Sequence, residues 1–333
     1  MFIKRPKIRN MALTHFFSER GLALIMVLWI LTILSVIALS FAFMARTEVY
    51  STVSFRDGME KKLLAEAGIE RGIMELFYRS ANKNQVSVVE GSEIVRIDGR
   101  ENQGELGENK YAFRISDESG KININALTDA NSIILSNLMV NLGISGETAN
   151  TIIDGILDWR DADNLVRLHG AEDSYYESLP VPYKAKNGNF DTLEELLLVR
   201  GVTQEIMFGS GNTPGLLNFL TVYSKGGAIN INAAAKEVIM ALPNMTSSMA
   251  DAIIGYRESA ELRGQQDVVA VIGPVFTTIA PYVGFAESNI YTIEGKGMKK
   301  DETRGYAIRA LLAIESDNQH RYLYYKSPSD VRK

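Results

Sequence analysis

The sequence predicts an α+β fold: one long N-terminal helix packed on an antiparallel sheet, with a large helical insertion between the sheet pieces. Three observations predict it. An uncharged run, LALIMVLWILTILSVIALSFAFMA from Leu22 to Ala45, continues without a proline into helix-compatible sequence as far as Arg79. Strand-like segments follow at Tyr111 to Ser116 and return at Ile290 to Glu294, Tyr306 to Ile314 and Arg321 to Tyr325. Between them, from roughly Ala126 to Tyr282, helical patterns dominate and one short motif occurs twice.

The helix comes first. At 1.5 Å per residue, the run from Leu22 to Ala45 is long enough to cross a bilayer core of roughly 30 Å. The flank before it carries Lys4, Arg5, Lys7, Arg9 and Arg20 against Glu19, and this bias predicts a cytoplasmic N-terminus with the bulk of the chain outside. A cleavable secretory signal has a shorter apolar run ending in small residues, whereas this one passes directly into Arg46-Thr47-Glu48. Beyond it, Leu63, Leu64, Ala67, Ile69, Gly72, Ile73 and Leu76 recur at spacings of three and four, which predicts one helix, half in lipid and half packed on a soluble domain. A simple anchor followed by a separate linker is the alternative.

The sheet and the insertion follow. Val86 to Val89 and Glu93 to Ile97 flank Gly91-Ser92, a hairpin signal. The segment Lys121-Ile122-Asn123-Ile124-Asn125-Ala126 recurs as Ala228-Ile229-Asn230-Ile231-Asn232-Ala233, with asparagines placed for caps or Asx turns. Each copy precedes a helix-turn-helix pattern, ending in Ala149, Ile152, Ile153 and in Ala250, Ile253, Ile254. A third helical unit is expected at Phe190 to Leu196, followed by Arg200-Gly201-Val202-Thr203. The boundaries drawn are 46–125 for the second half of the helix and first strands, 126–225 and 226–282 for two helical subdomains, and 283–333 for the closing strands.

Composition narrows the chemistry. The 333 residues are 46% hydrophobic, enough for a sizeable core, and include no cysteine, so thiolate nucleophiles, thiolate zinc sites and disulfides are excluded. His15, His169 and His320 are the only histidines, and neither His169 nor His320 lies in a Gly-rich nucleophile turn. Carboxylates are abundant, as in most acidic proteins, and single out no glycosidase pair. No enzymatic activity is expected. The helix-turn-helix units resemble helix-hairpin-helix (SAM-like) modules that grip phosphate backbones. However, Ala126 to Ala260 holds eight Lys or Arg against sixteen Asp or Glu, and the net charge is −5, so no nucleic-acid partner is expected.

One cluster is a candidate site. Asp158, Asp161, Asp163, Glu172 and Asp173 crowd into sixteen residues, with Gly170 permitting a turn. Hard carboxylate oxygens in a loop suit calcium. Asp161, Asp163 and Glu172 fall at positions 1, 3 and 12 of an EF-hand, but Leu165 and Val166 stand where a ligand and the turn glycine belong, so the loop is not an EF-hand. The alternative is a solvated acidic loop of helix caps and ion pairs to Arg160 or Arg167. Asn187, Asn189 and Asp191 are further oxygen donors nearby, Trp159 is expected to pack beneath the loop, and Tyr175-Tyr176 fits core or surface equally.

Ser18-Glu19-Arg20-Gly21 before Leu22-Ala23-Leu24-Ile25 resembles a prepilin leader, residues 1–21. The resemblance implies that a prepilin peptidase cuts after Gly21 and that Leu22, the new N-terminus, is methylated. Met11 as the start would give a shorter leader, more usual for such proteins. Most pilins and pseudopilins carry glutamate at the fifth mature position; here it is Met26. Within the type II secretion pseudopilins, the protein K family is the one that typically lacks it. The strings Asp117 to Ala126, Leu157 to Asp163 and Gly170 to Tyr176 are similar to hallmarks of that family, as is the large helical insertion itself. The resemblance implies a pilin-like fold, structural calcium in the insertion, and a minor pseudopilin of the inner membrane with its bulk in the periplasm. It further implies a place at the pseudopilus tip with partners of the I and J type, contact with the inner-membrane assembly platform, and contact with secreted proteins. A type IV pilus minor pilin in adhesion or DNA uptake, and an anchored calcium-binding domain, are the alternatives.

Overall fold

The structure is a computed structural model that describes residues 19–82, 95–300, 302, 305–315 and 319–329. The expected leader up to Ser18 lies outside the described residues, as do Val86 to Val89 and the expected turn at Gly91-Ser92. The chain forms two compact units, Met1–Met59 and Glu60–Lys333.

Helix α1 spans Glu19–Asn82, 64 residues. Its first part is long and apolar enough to cross a membrane. Side chains from Leu22 to Phe43 are exposed, and two of the hydroxyls among them bond back to their own helix: Thr32 Oγ1 donates to the Trp29 carbonyl at 2.8 Å and Ser35 Oγ to that of Leu31 at 2.7 Å. Such internal satisfaction is what a hydrocarbon environment requires.

In the second unit a five-stranded antiparallel sheet is built from β1 (Asp98–Leu106), β2 (Asn109–Asp117), β3 (Ile290–Met298), β4 (Tyr306–Ile314) and β5 (His320–Lys326), in that spatial order. The part of α1 beyond Glu60 buries Ala65, Ile69, Ile73 and Leu76 in one core with Phe113, Ile115, Ile293, Ile308 and Leu312. Leu63, expected on that face, is exposed, whereas Leu64 is buried as expected and Ala65 is buried beside it. Glycines let α1 and the sheet approach. A Cβ on Gly68 would sit 2.9 Å from the Ala112 carbonyl oxygen, and one on Gly297 would overlap the Lys61 carbonyl.

One strand expectation needs correction, and one strand was not expected. Val95 to Ile97, expected in a strand, are not in one, and Ile97 is instead buried in the core beneath the sheet. The observed hairpin is β1–β2, turning at Gly107 with φ +64°, and its first strand is the polar sequence DGRENQGEL. As an edge strand it has one hydrogen-bonded neighbour and little apolar burial, so composition gives no signal for it.

The insertion leaves the sheet after β2 and returns at β3, where Asp117 pairs with Tyr291. Entry and exit are therefore adjacent. The buried Asp117 carboxylate ties them together: it accepts from Ser119 N and Oγ at 2.9 and 2.7 Å, from Ser288 N at 3.1 Å and from Asn230 Nδ2 at 3.3 Å.

The motif repeat is a structural repeat. Ile122–Asn123 pairs in parallel with Leu220–Thr221, and Ile229–Asn230 with Val283–Gly284, so each helical segment closes on its own beginning. Asn123 and Asn230 each accept from the backbone N two residues on, as Asx turns. Asn125 exchanges two hydrogen bonds with the Phe190 backbone, and Asn232 does the same with Leu262. The first segment holds α2 (Ser132–Asn141) and α3 (Gly146–Arg160), N-capped by Ser145. The second holds Lys236–Ala241 and Ser247–Ser259, N-capped by Thr246. Buried residues of both segments share one core, including Leu135, Ile152, Ile239 and Ile253. The expected third unit is a 3-10 helix, Leu193–Leu198, and a short helix, Gln204–Phe208.

Candidate metal centre

Helix α3 carries Asp154 and Asp158 four residues apart, on one face. Both carboxylates bind the loop that follows. Asp154 Oδ2 accepts from His169 N at 3.0 Å, and Asp158 Oδ2 accepts from Arg167 N at 3.2 Å. This folds the loop back over the end of α3, and Asp161 forms the C-cap at that end. Gly170 is required at the closure: a Cβ there would overlap the Asp158 carboxylate. Arg200 Nη1 donates to the Gly170 carbonyl at 2.9 Å and stacks over Tyr175, 4.9 Å from the ring centroid.

The fold brings Asp158, Asp161 and Glu172 together, with one carboxylate oxygen from each within 4.8 Å of the others. Asp158 is 0% exposed and Glu172 2%. Asp158 Oδ1 and both Glu172 oxygens are buried without a hydrogen-bond partner. The other two candidate ligands are elsewhere. Asp163 is exposed and accepts from Leu165 N at 2.8 Å, an Asx turn. Asp173 begins α4 (Asp173–Tyr176), accepts from Ala185 N at 2.9 Å and pairs with Lys184 at 3.2 Å. Asp191 is spent on Lys186 at 2.7 Å.

Three carboxylates close together, two of them buried, disfavour one another's charge. Burial, then the Asp158, Asp161, Asp163 and Asp173 charges, push Glu172 up to about 7. Burial likewise raises Asp158. Orphaned buried carboxylate oxygens are costly unless paired, and a hard divalent cation is one partner that suits them. Two oxygens each bound about 2.4 Å from one ion are no more than about 4.8 Å apart, so the trio fits a single ion of calcium's size.

Beneath the loop, Trp159 is 3% exposed, edge-on to Tyr176 at 5.2 Å and stacked with Phe190 at 6.3 Å. Tyr176 is buried, while Tyr175 is half-exposed under Arg200. Arg160, considered as an ion-pair partner for the acidic loop, instead donates Nη1 to the Ile124 and Leu127 carbonyls at 2.9 and 2.8 Å. In the second segment Arg257 does the same for Ile231 and Ala234. Sequence reasoning missed Asp154 and Arg200 as parts of the site, whereas Arg167, named as an ion-pair partner of the acidic loop, does pair with Asp158. Only Asp154 had a readable signal, its four-residue spacing from Asp158.

The candidate centre lies inside the part of the chain that known proteins share. The profile of the family described as "Type II secretion system (T2SS), protein K" matches residues 120–208. Type II secretion system protein K of Pectobacterium carotovorum subsp. carotovorum is 28% identical over 197 residues, 56% of this chain and 60% of that one. The Aeromonas hydrophila protein K is 28% identical over 208 residues, with the same shares. The chain thus spans about three fifths of the length of these relatives. A chain in the crystal structure of the GspK-GspI-GspJ complex from the enterotoxigenic Escherichia coli type 2 secretion system has the same fold, with a TM-score of 0.56 and 17% identity over 85% of this chain and 100% of that one. By profile and by relatives this chain is similar to the K proteins of type II secretion, and it shares its fold with a chain of the GspK-GspI-GspJ complex.

Proposed function

We propose that the protein is a minor pseudopilin of a type II secretion system, anchored in the inner membrane with its N-terminus cytoplasmic and the remainder periplasmic. It is cut after Gly21 by a prepilin peptidase, methylated at Leu22, and joins partners of the I and J type at the pseudopilus tip, on the inner-membrane assembly platform. From there it aids export of folded proteins across the outer membrane. Its action is assembly and contact rather than bond making.

The observation that carries the proposal is a continuous helix Glu19–Asn82, apolar at one end and packed on a sheet at the other, joined to an insertion whose first part, residues 120–208, matches the protein K profile. Uncharged residues up to Ala45 suit the apolar interior of a helical bundle. Met26 fits a subunit with no neighbour above it, because no N-terminal ammonium there needs a glutamate partner. The insertion, leaving between β2 and β3, adds bulk that hinders a further subunit and suits a terminal position.

Structural calcium belongs to the same proposal. Asp158, Asp161 and Glu172 would hold the ion, which supplies positive charge to a corner that lacks it and fixes the loop against α3. Co-expression with the I- and J-type proteins of one secretion system tests the central assembly step. The expected result is a complex with one copy of each, by native mass spectrometry. A chain that stays alone with both partners present overturns the proposal.

A further inference from the structure

Arg167 holds Asp158 twice: its backbone N–H donates to Oδ2 at 3.2 Å, and its Nε lies 3.4 Å from Oδ1. The same guanidinium reaches to Asp129, ahead of α2, with Nη1 2.7 Å from Oδ1 and Nη2 3.4 Å from Oδ2. The Asp129 side chain is 76% exposed and is not part of the carboxylate trio. Among the described residues, no other Lys or Arg forms an ion pair with Asp158, Asp161 or Glu172.

A guanidinium next to a cation site has two opposing effects. Laid fully on Asp158, it would take both oxygens as a bidentate partner and compete with an incoming ion. Drawn toward a second carboxylate, it stays near enough to fix Asp158 but leaves an oxygen for a ligand bond. The distances describe the second case: the shortest contact of the guanidinium is to Asp129, and Asp158 Oδ1 has no hydrogen bond. Outer groups that orient a ligand act on metal affinity in this way without touching the ion.

We propose that Asp129 and Arg167 form the positioning pair of the cation site, with Asp129 drawing the guanidinium off Asp158 while the Arg167 backbone holds the carboxylate in place. This rests on the calcium reading of the trio. It also ties the loop after α3 to the segment before α2, so the site spans both ends of the first helix pair.

The test is calcium titration by calorimetry on the full chain in detergent, for the parent, Asp129→Asn, Arg167→Ala and the double variant. The parent binds calcium, and Asp129→Asn weakens binding by about 10-fold. In the Arg167→Ala background, Asp129→Asn changes nothing further, because its effect passes through the guanidinium. The melting temperature of Asp129→Asn in chelator equals the parent's, which separates positioning of the ion from a general structural role. Unchanged affinity in Asp129→Asn, or equal weakening in both backgrounds, overturns the proposal and leaves the calcium reading standing. A parent that binds no calcium overturns both.

Discussion

Glu172 is a carboxylate that burial and four neighbouring acids hold near a protonation midpoint of about 7, against 4.5 for the free side chain. A group whose pKa is raised by folding stabilises the native state at low pH and loses that contribution as pH rises through the folded value. The metal-free chain is therefore expected to lose ~1–3 kcal/mol of stability between about pH 5 and pH 8 from this residue. Thermal melts in chelator check it, and Glu172→Gln is expected to flatten the trend and raise the melting temperature at pH 8. A parent whose melting temperature does not fall over that range, or a Glu172→Gln variant that falls as steeply, contradicts the environment assigned to Glu172. The acidic cluster was legible in the sequence because carboxylate density is a local property. Which three of the five the fold brings together was not. Asp163 turns back on its own backbone and Asp173 faces Lys184, and both outcomes depend on how the loop closes over Gly170. Arg167 was legible only as a nearby cation, because its tie to Asp129 spans 38 residues.

Elements with strong periodicity were read well, and those without it were missed. The strand Tyr306–Ile314 was expected at those bounds because a short apolar run, broken by Arg309 alone, is a local signal. The edge strand Asp98–Leu106 was missed because pairing, not composition, makes it a strand. The repeat was visible as a motif, but the matched roles of Arg160 and Arg257 were not: they sit at different distances from their motifs and cap equivalent carbonyls. The packing of α1 on the sheet sets a contrast between glycines. Gly297 faces the Lys61 carbonyl, so Gly297→Val forces helix and strand apart and is expected to cost ~2–4 kcal/mol. Gly255, within Ser247–Ser259, has nothing within 4 Å of an added Cβ, so Gly255→Ala is expected to stabilise by ~0.5–1 kcal/mol. Urea denaturation of the two variants checks both, and equal effects contradict the packing described for α1.

At the scale of the molecule, one helix serves two environments and one sheet carries a large insertion on adjacent strands. Because Asp117 and Tyr291 are neighbours across β2 and β3, the sheet closes its ladder as if the insertion were absent. The pilin-like layering and the helical insertion were both legible in the sequence, the first from periodicity and the second from the repeat. The shared core of the two helical segments was not, because the contact between α2 and Lys236–Ala241 joins residues about a hundred positions apart, as where Asn137 Nδ2 donates to the Ala241 carbonyl at 2.9 Å. The central claim is that this architecture is a processed pseudopilin. The mass and N-terminal sequence of the chain recovered from membranes, with and without a prepilin peptidase, test it most directly. The expected result is a chain beginning at N-methyl Leu22 only when the peptidase is present. An uncut chain in both cases contradicts the pseudopilin assignment and leaves an anchored domain whose insertion serves another end.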